Sequence, residues 1–192
     1  MIKLRNNKAF ILILCSIAIG INITLGALCA RIPFLSQYVF LDTIGTIFIA
    51  VLFGPISGAT VGAVSNILSP ILSGNPRTIP FFLVNMMVGL SVGLISKKFN
   101  FSFKTAILTG IFLSILCPLV GTPISIYLFG GVVGSGTDVF FTILKNSGFE
   151  IFSAAFIPRV VENFIDKILS CLLVTSILKY IPLKYKSYSS NI

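Results

Sequence analysis

The sequence contains no histidine and few charged residues, and both shortages restrict what the chain can do. None of its 192 residues is His, and only 10% are Asp, Glu, Lys or Arg. The absence of His excludes His-ligated zinc sites, Ser-His-Asp triads and haem held by imidazole. Soluble domains carry about 25% charged residues, so the low charge is typical of a protein surrounded by lipid.

Nucleotide-binding and esterase motifs are also missing. The sequence has no G-x-x-x-x-G-K-[ST] loop and no G-x-S-x-G elbow, so the chain cannot itself bind ATP through a P-loop. Its four Cys lie in apolar stretches without C-x-x-C spacing, which indicates small apolar side chains rather than zinc ligands or disulfides. We therefore predict no enzymatic activity, no catalytic residue, no metal site and no cofactor.

Apolar residues dominate the remainder: 56% of the chain is hydrophobic and the mean hydropathy is +1.05. About 20 apolar residues cross a bilayer, so the run 39–72 is too long for one helix, and Gly54-Pro55 in its middle predicts a break. We predict an all-α integral membrane protein, a bundle of six transmembrane helices in a single membrane domain, 1–192. The helices are expected at about 9–30, 39–54, 55–72, 80–96, 105–129 and 157–181.

Basic residues form three clusters between the apolar runs: Lys3, Arg5 and Lys8; Lys97, Lys98 and Lys104; Lys179, Lys184 and Lys186. Lys and Arg in short loops prefer the cytoplasm. Six helices place all three clusters on that side, which predicts a cytoplasmic N-terminus and C-terminus. The net charge of +9 is thus interpreted as a topology signal and lipid contact rather than as a nucleic-acid footprint.

The last outer loop, 130–156, mixes Asp138, Lys145 and Glu150 with many apolar residues. It is too polar to cross the membrane and too apolar for a free loop. An amphipathic segment lying on the outer surface is expected there.

Polar residues of the sixth helix recur at steps of three or four, which places them on one face near its outer end. They are Arg159, Glu162, Asn163, Asp166 and Ser170, with Lys167 at the edge. One interpretation is that Arg159 and Glu162 pair and hold the bundle together. The other, which we favour, is that the face forms one wall of a substrate-binding pocket open to the outside, because charged groups within a span usually face protein or water.

Three further residues are candidates for the same pocket. Asn66 and Asn85 end stripes of small residues on the third and fourth helices, where hydrogen bonding to a ligand and between helices are both open. Tyr127 lies near the outer face, where an aromatic ring either stacks on a ligand or anchors in the interface.

The segment Leu41 to Ile67, LDTIGTIFIAVLFGPISGATVGAVSNI, resembles the second and third helices of S components of energy-coupling factor (ECF) vitamin transporters. The chain length, an Asn in the first helix (IGINITLG) and Asp166-Lys167 in the last are similar to that family too. The resemblance implies a subunit of the bacterial cell membrane that captures a vitamin-like micronutrient under a lid, about Arg31 to Tyr38. It further implies release to a transmembrane coupling subunit with two ATPases.

Members of that family usually carry Ala-x-x-x-Ala on the first helix for docking to the coupling subunit. The matching spacings here are Ser16-x-x-x-Gly20 and Ala18-x-x-x-Asn22, so the resemblance assigns docking to Ser16, Ala18 and Gly20. The alternative function is a self-sufficient secondary transporter or channel that acts as a homo-oligomer through its glycine stripes.

Overall fold

The computed structural model describes residues 8–32, 38–134 and 136–181, and these ranges form seven α-helices and no strand. A 3-10 turn at Pro76–Phe81 leads directly into the fourth helix. The helices are α1 (Lys8–Arg31), α2 (Ile44–Phe53), α3 (Pro55–Leu72), α4 (Phe82–Lys98), α5 (Phe103–Phe129), α6 (Asp138–Asn146) and α7 (Ile151–Tyr180).

The long apolar run is divided at Gly54. This residue has φ 91° and ψ −177°, a conformation open almost only to glycine. Pro55 then occupies the first position of α3, where its missing N–H costs no helical hydrogen bond. A Cβ on Gly58 would overlap the side chain of Ala50, so α2 and α3 fold back on each other as a tight hairpin.

Glycines bring α3 and α4 into backbone contact. A Cβ on Gly62 would overlap the carbonyl of Asn85, and one on Gly89 would overlap the backbone of Gly58. From the first contact to the second, the chain goes back four residues on α3 and forward four residues on α4. The two helices therefore run antiparallel. In lipid, small residues let helices approach in this way and gain van der Waals contact.

Among the residues that the structure describes, four helical segments are long and apolar enough to cross a membrane: α1, α3, α4 with its preceding 3-10 turn, and α5. The prediction of six such helices is not met for two of them. At 10 residues, α2 is about 15 Å long, half of the hydrocarbon thickness of about 30 Å. The helix α7 is long enough at 30 residues, but it carries five charged residues.

Two helices begin at positions other than those expected. The second begins at Ile44 rather than near 39, because Leu41 has a positive φ of 51°, which interrupts a right-handed helix. Asp166 of α7 accepts the N–H groups of Phe40 and Leu41 and holds this conformation. The last begins at Ile151 rather than near 157. It therefore includes apolar residues that the sequence assigned to the outer loop.

The short helix α6 lies within the predicted last outer loop and is amphipathic. Its Phe141 is buried against Ala154 and Ala155 of α7. Val139 and Phe140 are exposed on its other side. An amphipathic segment is therefore present in this loop, and it is packed against the bundle by one aromatic ring.

Candidate functional site

A cavity of about 470 Å³ lies at one end of the helix bundle. Its walls come from the C-terminal halves of α1, α3 and α5, from the N-terminal parts of α4 and α7, and from residues 40, 42, 133, 134 and 136. Cavities of 300–1,000 Å³ are typical of small-molecule sites. The size and the convergence of so many elements make this cavity the candidate functional site.

The predicted polar face of α7 supplies the charged wall of this cavity. Arg159, Glu162, Asn163 and Lys167 all line it. Glu162, Asn163 and Lys167 come three, four and eight residues after Arg159, and the four residues therefore occupy one side of the helix.

Lys167 is held by an oxygen-rich set of partners at the edge of the cavity. Its Nζ lies 2.6 Å from Asp166 Oδ2, 3.4 Å from Thr43 Oγ1 and 3.9 Å from Asp42 Oδ1. Asp166 and Thr43 lie within hydrogen-bond distance, whereas Asp42 is close enough only for an ion pair. Lys167 is therefore held by the protein itself through two of its three ammonium hydrogens.

Asp166 lies behind the cavity wall and is fully buried. Besides its contact with Lys167, its Oδ1 accepts hydrogen bonds from the N–H groups of Phe40 at 2.8 Å and Leu41 at 3.0 Å. Leu41 has a positive φ of 51°, which aims these consecutive N–H groups at one oxygen. Asp166 thus fixes the segment before α2 to α7 and supports the site rather than lining it.

Arg159 and Glu162 do not form the ion pair that the first interpretation of the sequence required. Arg159 instead donates from Nη1 to the carbonyl of Ala155 and from Nη2 to that of Gly131, both at 3.0 Å. Within the described ranges, both ion pairs involve Lys167. Arg159 therefore closes the cavity by joining α7 to the segment that follows α5.

Glu162 is the least satisfied group of the wall. Its side chain is buried, at 4% exposure, and Oε1 accepts no hydrogen bond from any residue that the structure describes. Burying a carboxylate without a donor is costly. An unpaired acceptor therefore lies in the wall of the cavity.

Two asparagines connect the cavity to α3 and α4. Asn66 lines the cavity, and Asn85 donates to Asn66 Oδ1 at 2.9 Å and to the carbonyl of Asp42 at 3.3 Å. A smaller chamber of about 170 Å³ shares Asp42, Asn66 and Phe81 with the main cavity. Asn85 thus orients Asn66 from behind, and Asn66 stands where the two chambers meet.

Sequence reasoning missed the role of Asn22 in positioning α2. Its Nδ2 donates to Thr46 Oγ1 at 2.9 Å and Ser65 Oγ at 3.0 Å, and its Oδ1 accepts from the N–H of Gly45 at 2.7 Å. Asn22 therefore joins α1, α2 and α3 beside the smaller chamber. The signal in the sequence that could have indicated this role was a single Asn within a stripe of small residues.

Tyr127 requires a correction, because the structure does not place it in the cavity. Its side chain is 89% exposed, whereas Pro118 and Gly121 of the same helix line the cavity. Six residues after Gly121 amount to about 600° of helix rotation, which turns Tyr127 about 120° away. Lining residues that were not predicted include Phe40 and Asp42.

The three predicted docking residues of α1 divide between two faces. Ser16 and Gly20 are exposed, and a Cβ on Gly20 would meet nothing within 4 Å. Ala18 is 3% exposed, because its carbonyl lies against Gly45 of α2. Docking through Ala18 is therefore excluded by this packing, while Ser16 and Gly20 share a free face.

Part of the predicted lid, Arg31 to Tyr38, lies outside the described residues, as do Lys3, Arg5, Lys184 and Lys186 of the basic clusters.

Apolar helices of membrane-spanning length around a ligand-sized cavity with a charged wall define a multi-pass membrane protein that binds a small molecule. The family model described as ECF transporter, substrate-specific component, matches residues 11–178. The chain belongs to this family, and is therefore a transport protein whose relatives are substrate-binding subunits. No curated protein and no solved structure matches it.

Proposed function

We propose that this chain is the substrate-capture subunit of an ECF importer in a bacterial plasma membrane, and not an enzyme. The observation that carries the proposal is the 470 Å³ cavity with buried charged groups at one end of an apolar bundle. A micronutrient of vitamin size would bind there. Energy would come from a coupling subunit and two ATPases, since the chain has no P-loop.

Charge distribution supports an outward-facing cavity. Lys97 and Lys98 end α4, whereas the cavity is lined by residues from the start of that helix. At the same end as these lysines, Lys179 near the end of α7 lies 4.1 Å from the ring centroid of Phe103 at the start of α5. Because basic residues favour the cytoplasm, the cavity would open outward, with both chain ends inside.

The segment that contains α2 can complete a crossing. Six residues, 38–43, extend it by at most about 20 Å, which together with the helix reaches the hydrocarbon thickness of about 30 Å.

The helix α7 would be the sixth span, in a single membrane domain. Four of its charged residues, Arg159 to Lys167, are buried in the protein, and its outward residues Val161, Phe164 and Ile165 are apolar. Lipid would therefore meet an apolar surface. The proposed topology is six crossings.

The free face of α1 would receive the coupling subunit. Ser16 and Gly20 lie on it among exposed Leu12, Ile13 and Ile17. Small residues flanked by large apolar ones allow close helix contact in lipid.

Co-purification tests the proposal directly. The tagged chain, produced with the coupling subunit and ATPases of its host, should yield one complex, and mass spectrometry should detect a bound small molecule. In Gly121→Leu the new side chain would fill the cavity beside Val84 and Phe81, so the molecule should be lost while the complex remains. Gly20→Ala is the matched control for the bound molecule.

The alternative function, a self-sufficient homo-oligomeric transporter, predicts the opposite result. Uptake of the co-purified molecule into energised liposomes that contain only this chain would refute the capture subunit. Unchanged retention of the molecule by Gly121→Leu would refute the cavity as its site.

A further inference from the structure

The hydrogen-bonding state of the cavity wall indicates which ligand it can accept, provided that the proposed function holds. Two basic side chains line the cavity, and both are engaged by the protein itself. Lys167 is enclosed by Asp166, Thr43 and Asp42. Arg159 donates one hydrogen from each terminal nitrogen to a backbone carbonyl, which fixes the orientation of its guanidinium group.

The acidic side chains of the wall, by contrast, are less engaged by the protein. Glu162 Oε1 is buried at the wall without a donor from the described chain. The side chain of Asp42 is 36% exposed, and its charged partner is no closer than 3.9 Å. Two carboxylate groups of the wall can therefore accept a hydrogen bond from a ligand.

The net charge of the site also favours a cationic ligand. Asp42 and Glu162 balance Arg159 and Lys167 in the cavity wall. Asp166 lies behind this wall, 2.6 Å from Lys167 Nζ, and gives the ionised site one negative charge in excess. A ligand with one positive charge would neutralise this excess, and a charge-assisted N–H hydrogen bond would satisfy Glu162. An anionic ligand would add a second uncompensated negative charge.

Aromatic residues add a requirement on shape. Phe40 and Phe81 line the cavity, and aromatic faces attract both flat rings and cations. Glycines at positions 26, 121, 134 and 136 line it as well, which leaves room for a ring rather than for a long chain.

We propose that this cavity binds a small, flat, cationic ligand whose protonated nitrogen group donates a hydrogen bond to Glu162. The substrate class is thus a ring compound that carries one protonated amine or amidine, rather than a carboxylate or phosphate compound. Asp42, which lines the cavity beside Lys167, contributes a second, weaker attraction.

Three isosteric probes test this assignment on the full chain purified in detergent. Benzamidinium is flat and cationic, benzamide has the same shape without the charge, and benzoate is the anion. Titration followed by saturation-transfer NMR compares their dissociation constants for the wild-type chain. We expect benzamidinium to bind most tightly and benzoate least tightly.

Glu162→Gln removes the charge and keeps the shape. It should weaken benzamidinium binding about tenfold or more, since bonds to charged groups are the strong ones, and should leave benzamide nearly unchanged. Glu150→Gln is the matched control, because Glu150 is exposed and lies outside the cavity wall. Tighter binding of benzoate than of benzamidinium, or equal benzamidinium affinity in wild type and Glu162→Gln, would overturn the proposal.

Failure of all three probes to bind would overturn it as well. If Glu162→Gln does not fold, the ranking of the probes by the wild-type chain still decides. The capture function is judged separately by the complex with the coupling subunit and ATPases. A wrong ligand class leaves that complex intact, whereas its absence would refute the capture function itself.

Discussion

Replacing Asp166 by Asn should destabilise the protein strongly, because it leaves Lys167 buried without its closest counter-charge. The contact between Lys167 Nζ and Asp166 Oδ2 is 2.6 Å, and both side chains are at most 4% exposed. Asn keeps an oxygen acceptor for the N–H groups of Phe40 and Leu41. The substitution therefore removes the charge and leaves the backbone anchor in place.

The size of the effect follows from burial. Removing one partner of a buried ion pair costs about 3–5 kcal/mol. We expect the lower end, about 3 kcal/mol, because Asp42 at 3.9 Å can turn towards the ammonium group. Asp42→Asn is the matched control: Asp42 is 36% exposed and more distant, so its loss should cost no more than about 1 kcal/mol.

Thermal unfolding of the purified chain in detergent measures both variants. For a chain of this length, about 3 kcal/mol corresponds to a fall in Tm on the order of 10 °C. The double variant Asp166→Asn, Lys167→Met removes both charges, and should be more stable than Asp166→Asn alone. A fall in Tm no larger for Asp166→Asn than for Asp42→Asn would refute the argument that this pair is a buried, mutually dependent unit.

Three more predictions follow from positions where space and exposure are defined. Gly89→Ala should destabilise by about 1–3 kcal/mol, since its Cβ would overlap the backbone of Gly58, whereas Gly20→Ala meets nothing within 4 Å and should unfold like wild type in the same thermal assay. Gly20→Leu should abolish ATP-driven uptake in the assembled transporter yet leave ligand binding unchanged, and full uptake would rule out this face as the docking surface. Tyr127→Ala, at an 89% exposed position, should leave the dissociation constant of the co-purified ligand within twofold of wild type; a tenfold rise would return Tyr127 to the site.

Much of the helical architecture is determined by local sequence, which explains why it could be predicted. Gly54-Pro55 breaks the long apolar run by its own backbone restrictions. The four-residue glycine spacing likewise marks the α3 and α4 contact, since it places every small residue on one face. The start of α2 was not predictable in this way, because the hydrogen bonds that hold residues 40 and 41 outside the helix come from Asp166, more than 120 residues later.

The candidate site was likewise only partly predictable from the sequence. The three- and four-residue period of α7 brings Arg159, Glu162 and Asn163 to one wall, because helix geometry alone determines it. The pairing within that wall depends on partners from other elements. Gly131 accepts a hydrogen bond from the guanidinium group that one interpretation of the sequence paired with Glu162. Asp42 enters the cavity from a segment whose conformation is set by tertiary contacts.

The carboxylate of Asp166 connects the segment before α2 with the charged wall of the cavity. One of its oxygens holds the chain immediately before α2, and the other holds the ammonium group that borders the cavity. A ligand that draws Asp42 away from Lys167 would strengthen the grip of Lys167 on Asp166, and so alter the tether on residues 40 and 41. By thermodynamic reciprocity, if the ligand changes the affinity of a partner for this segment, that partner would change the affinity of the chain for the ligand by the same factor.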